Sequence, residues 1–341
     1  MPQNKKLGVV LFQLGGPDSL DAVAPFLYNL FCDPDIIPIP LGAVLRKPLA
    51  RYISRKRAKV VSEHYRAIGG RSPLGLLTER QARALEASLR SDANRTDPSR
   101  SGLDAFVTVA MRYWHPLTAE AVARVAAESP QELVLLPLYP HYSYATTLSS
   151  LKEWKRCSPN GHLPTGLRIR VVDNFHDHPL YIQSLVERIN LTFEQFDDPA
   201  RVRILFSAHG LPMSLVEKGD PYPKHIEGTV KAVLQAGAWT NPHTLCYQSR
   251  VGPQKWLEPS LLSTIDKLGR EKVTDLLVIP LSFVTEHIET LYEINLETRE
   301  AAAKVGITNF RMMPAVGDSP TFIGCLDALV RHALNADPST F

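Results

Sequence analysis

The sequence predicts an α/β fold built of two similar Rossmann-like halves, and two observations predict it. Short apolar runs rich in β-branched residues alternate with amphipathic helical stretches along the 341 residues, and the runs stop at glycine, proline or serine as buried parallel strands do. The pattern also repeats. LVLLPLYPHYSYATTL from Leu133 resembles LLVIPLSFVTEHIETL from Leu276, with Pro137 matching Pro280 and Thr147-Leu148 matching Thr290-Leu291. VLFQLGGP from Val10 likewise resembles ILFSAHGLP from Ile204. The offsets, about 143 and about 194 residues, differ by a segment inserted in the first half. Duplication places the halves at residues 1–172 and 173–341, facing across a cleft.

Each element has a local cause. Leu7 to Leu14 is a strand ending in Gly15-Gly16-Pro17, followed by the capping candidates Asp18 and Ser19 and the helical LDAVAPFLYNLF. Neither GxGxxG nor GxxxxGK[ST] is present, so Gly15-Gly16 reads as a tight turn without a nucleotide. Asp33 to Ser54 holds four prolines among apolar residues, with Arg46, Lys47 and Arg51 interleaved. The prolines interrupt a core helix, and the segment reads instead as an exposed apolar lip suited to anionic headgroups. A basic helix (RKRAKVVSEHYRAI) follows and ends at Gly69-Gly70. Thr78 to Arg90 is an amphipathic helix, Ala105 to Met111 a strand, Thr118 to Glu128 a helix and Leu133 to Leu138 a strand. The second half places strands from Val202 to Phe206, Leu245 to Ser249, Leu276 to Leu281 and Phe310 to Met313, with helices at Tyr222 to Leu234, Leu261 to Leu268 and Ile323 to Leu334.

Composition narrows the function. A net charge of +3, dispersed along the chain and without an RNP, zinc-knuckle or helix-turn-helix pattern, argues against nucleic acid. The cysteines Cys32, Cys157, Cys246 and Cys325 never form CxxC, which disfavours a local zinc or iron–sulfur motif and suggests reduced cytosolic thiols. No apolar run is long enough to span a bilayer, and no signal peptide is evident. GxSxG is absent, so acyl-enzyme hydrolysis lacks its nucleophile.

The chemistry concentrates at strand tips. RVRILFSAHGLPMS sets His209 at the carboxyl end of a buried strand, where open α/β sheets bind ligands. Such a histidine alone is commonly structural. Its partner is the second tip, where His287 and Glu289 open a helix and Glu289, Glu293 and Glu297 follow at i, i+4 and i+8 along one face. Imidazole and carboxylate together accept protons near neutral pH and bind divalent first-row metals. Arg112, Tyr113 and Trp256 follow other strand ends.

At these residues the sequence resembles the ferrochelatases. FSAHGLPMS, EKGDPYP, CYQSRVGPQKW, LSFVTEHIETLYE, EHYRAIGGRSPL and RYWHPLT resemble that family's motifs in the family's order, from about Leu7 to Leu334. The resemblance implies a class I chelatase-like fold of two parallel four-stranded sheets. It also implies insertion of Fe²⁺ into protoporphyrin IX to form protoheme, the final step of heme biosynthesis. It maps the family's invariant histidine to His209 and its active-site glutamate to Glu289, with His287 beside it and Glu293 along the acidic ladder. His209, Glu289 and Glu293 are the implied metal contacts, and whether His209 is the base or a ligand stays open. Leu14, Tyr65, Arg112, Tyr113 and Trp256 would line the macrocycle pocket, with Arg57 and Ser72 at the propionates.

Some relatives bind a [2Fe–2S] cluster, but Tyr144 stands where one of its cysteines would be and only Cys325 lies near the end. The expectation is no permanently bound cofactor, iron being substrate. The chain stops soon after Leu334, which suggests a monomer, and the lip from Ile36 to Ile53 implies a cytoplasmic protein attached peripherally to the inner face of the membrane. A coproporphyrin ferrochelatase, a cobalt or nickel chelatase and a non-catalytic heme or porphyrin carrier are the alternatives.

Overall fold

In the computed structural model, residues 5–34, 42–91, 102–159, 161–250 and 254–338 are described. The first half runs β1 (Leu7–Gln13), α1 (Val23–Cys32), α2 (Gly42–Ala67), α3 (Leu74–Arg90), β2 (Ala105–Met111), α4 (Thr118–Glu128), β3 (Glu132–Pro137), a π-helix (Tyr144–Leu148), α5 (Ser149–Cys157) and β4 (Arg168–Val171). The second runs α6 (Pro179–Phe193), β5 (Arg203–His209), α7 (Met213–Val216), α8 (Tyr222–Gly237), β6 (His243–Gln248), α9 (Leu261–Arg270), β7 (Asp275–Pro280), a second π-helix (Glu289–Thr298), α10 (Arg299–Lys304), β8 (Asn309–Met312) and α11 (Pro320–Asn335).

Both sheets are parallel and four-stranded, in the orders β2-β1-β3-β4 and β6-β5-β7-β8. Every residue of β1, β2 and β3 is buried, as expected of parallel strands covered on both faces. The repeat therefore pairs β1 with β5 and β3 with β7, and each half follows its third strand with a π-helix. In both orders the chain leaves the first strand toward one neighbour and returns on its other side, which makes β1 and β5 the switch points of their sheets. Ligand crevices open beyond the carboxyl ends of such strands.

The molecule divides into two compact units, Met1–Tyr139 with Tyr144–Asn174 and Asp318–Phe341, and Pro140–Ser143 with Phe175–Gly317. The last helix thus belongs with the first sheet, whereas a boundary at 172/173 had assigned it to the second half. α11 buries Phe322, Leu326, Leu329 and Val330 in packing on α3 and β3, and polar contacts fasten it there. Asp327 accepts from Ser88 at 3.1 Å, Arg331 reaches the Leu89 carbonyl at 3.4 Å, and the Arg170 Nε donates to the Ala336 carbonyl just beyond the helix at 2.8 Å.

The helix α6 was not assigned from sequence, and β4 and α2 also depart from the apolar-run reading. β4 (RIRV) alternates arginines with its apolar residues, and Arg168 and Arg170 both pair with the Glu132 carboxylate on neighbouring β3. An edge strand satisfied by ion pairs carries little hydrophobic signal. α2 is one helix of 26 residues with Pro48 inside it, where a proline-interrupted lip was expected. Pro48 removes one intrahelical donor in the second turn and is itself exposed, so the helix continues through it. The apolar exposure holds: Leu45, Leu49, Tyr52 and Val60 are among the exposed large hydrophobic residues. Residues 35–41 of the lip lie outside the described residues.

Candidate active site

β5 carries His209 to the switch point of the second sheet. Ile204, Leu205, Phe206 and Ala208 are fully buried, and the Ser207 hydroxyl donates to Gln248 Oε1 at 2.8 Å, so the strand is anchored up to its last residue. The chain then turns at Gly210. A β-carbon there would lie 2.7 Å from the Gln248 carbonyl oxygen and 3.2 Å from the Trp256 ring, which only glycine avoids. Trp256 is held against this turn by its bridge to Pro212 and by the Leu257 N–H donating to Leu211 O at 3.0 Å.

The neighbouring tip of β7 supplies the carboxylates. Glu286 accepts the Ala315 N–H at 2.7 Å and the Thr290 hydroxyl, while Thr290 in turn accepts the His287 N–H at 3.1 Å. This clamp sets where the π-helix begins and hence where His287 and Glu289 point. The Thr298 hydroxyl donating to Glu293 O at 2.6 Å spans the widened i to i+5 turn.

Three acceptors then meet. His209 Nε2 lies 3.5 Å from Glu289 Oε2, and His287 Nε2 lies 4.0 Å from the same oxygen. His209 Nδ1 faces the Gly210 carbonyl at 2.6 Å and His287 Nδ1 the Thr285 carbonyl at 3.2 Å. A carbonyl only accepts, so both rings carry their proton on Nδ1 and, when neutral, turn an Nε2 lone pair toward Glu289. Burial holds the His287 imidazolium pKa below its ordinary value, outweighing the nearby Glu289 and Glu286 carboxylates. Two lone pairs and a carboxylate oxygen at this separation call for a proton or a cation between them.

Ser249 extends the group. Its hydroxyl lies 2.5 Å from Glu293 Oε2 and 3.4 Å from Glu289 Oε2. The residue takes a left-handed φ of 62°, a conformation that costs a side-chain-bearing residue about 1 kcal/mol and recurs at functional sites. Burial, and next the charge of Glu289, push the Glu293 carboxyl up to about 7 against the Ser249 hydrogen bond. Glu297, one turn on, is exposed. Among the described residues no three His, Cys, Asp or Glu side chains form a ready-made metal cage.

The structure thus brings His209, His287, Glu289 and Glu293 together in the second unit, with Trp256 behind the His209 turn. The other predicted residues lie in the first unit. Leu14 is at the tip of β1, its carbonyl accepting the Tyr113 N–H at 3.0 Å. Tyr113 is 1% exposed and its hydroxyl donates to Asp33 Oδ2 at 2.6 Å, an oxygen also reached by Arg112 at 2.9 Å and Ser149 at 2.8 Å. Tyr65 is likewise buried, its carbonyl closing the Gly70 turn at 2.8 Å. These rings pack in the core rather than standing open as a pocket wall. Arg57 is exposed, with its guanidinium 5.8 Å from the centroid of the Phe31 ring. Ser72 lines a cavity of ≈ 380 Å³ together with Gly16, Arg71, Trp114 and His115.

Ser249, Glu286 and Arg71 were not anticipated from sequence. A serine directly after a strand and a glutamate just ahead of the His-Glu pair were the available signals.

Comparisons with known proteins bear on the family and the fold. The family model described as ferrochelatase matches residues 6–334. A ferrochelatase of Parasynechococcus marenigrum (strain WH8102) is 47% identical over 334 residues, covering 96% of this chain and 83% of that protein. One of Geotalea daltonii is 45% identical over 329 residues, covering 96% and 98%. Among solved structures, SirB from Bacillus subtilis with Fe³⁺ superposes with a TM-score of 0.54 at 11% identity, over 97% of this chain and 96% of that one. DR2241 from Deinococcus radiodurans, described as structurally similar to chelatases, gives 0.56 at 15%, over 98% of this chain and 56% of that one. These two likenesses show the fold, and the matches along the whole chain show the family: this chain belongs to the ferrochelatases.

Proposed function

We propose that His209 and Glu289 divide the work of proton removal and iron delivery, supported by the convergence of two Nδ1-protonated imidazoles on Glu289 Oε2. As a member of its family the chain is an enzyme that inserts iron into protoporphyrin for heme synthesis. Free porphyrin carries two pyrrole N–H groups, and Fe²⁺ entering the ring displaces two protons. The Nε2 lone pair of His209 accepts one of them, Glu289 stabilises the imidazolium that forms, and the Glu293 carboxylate accepts the other. Ser249 links Glu289 to Glu293, whose carboxyl, poised near neutral pH, takes protons up and releases them toward exposed Glu297. Iron as substrate would meet Glu289, Glu293 and His209, a nitrogen and oxygen donor set suited to Fe²⁺. The opposite sharing, with His209 on the metal and the carboxylates as bases, uses the same atoms.

The first unit has groups of its own suited to the edge of a porphyrin. Ser72 and the neighbouring Arg71 suit the propionate carboxylates, with Arg57 as a further cation, while Leu14 stands just past β1, Arg112 and Tyr113 directly follow β2, and Tyr65 and Tyr113 act from the core beneath. Trp256 offers an aromatic face beside His209. The reading includes no resident cluster, supported by the dispersal of the four cysteines over α1, α5, β6 and α11. The exposed stripe Leu45, Leu49 and Tyr52, flanked by Arg51, Arg55 and Lys59, supports peripheral contact with anionic lipid. No helix among the described residues is long and apolar enough to cross a membrane.

The test is anaerobic turnover with Fe²⁺ and either protoporphyrin or coproporphyrin, followed by the porphyrin absorbance. Preference for protoporphyrin, with loss of about 10²-fold or more in His209→Ala, is expected. Porphyrin binding without metallation, equal in both proteins, would support a carrier instead.

A further inference from the structure

The backbone of His209 has an unusual problem of satisfaction. β7 pairs with β5 only as far as Ser207 opposite Pro280, and Leu281 N–H donates to Ser207 O at 2.9 Å. Alternation along a strand turns the N–H and C=O of His209 to that same side, where the partner strand has ended. Two hydroxyls replace it. His209 N–H donates to Ser282 Oγ at 3.1 Å, Tyr222 O–H donates to His209 O at 2.9 Å, and the two hydroxyl oxygens are 2.7 Å apart.

The protons can be assigned. Tyr222 has one and gives it to the carbonyl, so the Ser282 proton goes to the Tyr222 oxygen while the Ser282 oxygen accepts the His209 N–H. The result is a closed ring of hydrogen bonds that starts and ends on the His209 backbone. Each member polarises the next, and deleting one leaves half-buried partners unpaired. Tyr222 itself is braced: its N–H donates to Asp220 Oδ1 at 3.0 Å, Asp220 Oδ2 accepts Ser143 Oγ at 2.8 Å, and the His141 ring meets the phenol edge-on at 5.9 Å. Burial raises the phenol pKa well above its ordinary value, so it remains a donor throughout the working pH range.

We propose that Tyr222 and Ser282 are a positioning pair for the His209 imidazole. The ring's tautomer depends on Gly210 O, which follows the His209 backbone directly, so freeing that backbone lets the carbonyl and the imidazole swing together. Nε2 then loses its aim at Glu289. The inference rests on the reading of His209 as proton acceptor or iron ligand, and neither hydroxyl touches the reacting atoms.

The experiment uses Tyr222→Phe, Ser282→Ala and Ser282→Thr in the full chain, with His209→Ala alongside. Turnover with Fe²⁺ and protoporphyrin is measured together with the nitrogen shifts of His209 in long-range ¹H–¹⁵N correlation spectra. Expected is a ten- to hundredfold fall in kcat for Tyr222→Phe and Ser282→Ala, with porphyrin KM within about twofold, loss of the pure Nδ1–H signature, and recovery in Ser282→Thr. Unchanged nitrogen shifts in both deletion variants overturn the proposal, whether kcat falls or not. Should Tyr222→Phe fail to fold, Ser282→Ala decides alone. Full activity in His209→Ala would remove the catalytic reading of that residue, while the nitrogen shifts would still report whether the pair sets its ring.

Discussion

The Ser249 hydroxyl sits 2.5 Å from Glu293 Oε2, yet the carboxyl of Glu293 is still pushed up to about 7. One hydrogen bond does not offset burial and the neighbouring charge of Glu289. The folded chain therefore holds a proton on Glu293 that the unfolded chain, with an ordinary carboxyl near 4.5, has released. The associated stability is fully present below about pH 4.5 and is lost as pH rises through 7. Glu293→Gln, neutral at every pH, is expected to flatten this fall and to be more stable at pH 8 by on the order of 2 kcal/mol. Urea midpoints across the window measure it, and a slope equal to wild type would count against the assignment.

Gly210 and Trp256 make a second prediction. Gly210→Ala forces a β-carbon against the Gln248 carbonyl and the Trp256 ring. Overpacking of this kind costs about 1–3 kcal/mol. Thermal unfolding should show the loss, and quenching of tryptophan fluorescence by porphyrin should weaken if Trp256 is displaced.

Asp33 is fully buried as a side chain and serves Arg112, Tyr113 and Ser149 at one oxygen. Asp33→Asn removes the nearer carboxylate from Arg112, 2.9 Å away, and leaves it only Glu153 at 3.8 Å in a site where its side chain is 16% exposed. A loss of about 3 kcal/mol is expected in denaturant unfolding. Tyr113→Phe, which removes one donor and no charge, should cost about 1 kcal/mol. Equal costs would show that charge is not what Asp33 supplies.

The stripe on α2 predicts a surface effect without a folding effect. Leu49→Glu with Tyr52→Glu is expected to lower cosedimentation with anionic vesicles severalfold while leaving turnover of detergent-solubilised porphyrin near wild type. Raising salt should weaken binding of the unmutated chain through the basic residues. Vesicle binding unaltered by the double substitution would place the contact elsewhere.

Much of the architecture was legible because its signal is local. β2 and α4 fall at the residues that periodicity assigns, and the duplicated junctions at Leu133 and Leu276 became β3 and β7, each followed by a π-helix. β4 was not, because its arginines find Glu132 only across the sheet, and Pro48 misled because exposure lets a helix run through a missing donor. The site was legible in the same measure. His209, His287, Glu289 and Glu293 carry their chemistry in their side chains and stand at strand ends that the pattern reveals.

The sequence by itself determined the two duplicated α/β units, their parallel strands, and which imidazole and carboxylates stand at the tips, since periodicity and residue type are properties of neighbours along the chain. Only the tertiary structure decided that α11 returns to the first sheet and that Ser249 joins Glu289 to Glu293. It also decided that Ser282 and Tyr222 close a ring on the His209 backbone. The reason is physical: a hydroxyl has no functional signature until the fold gives it a partner, and a backbone group shows its need for one only where a neighbouring strand stops.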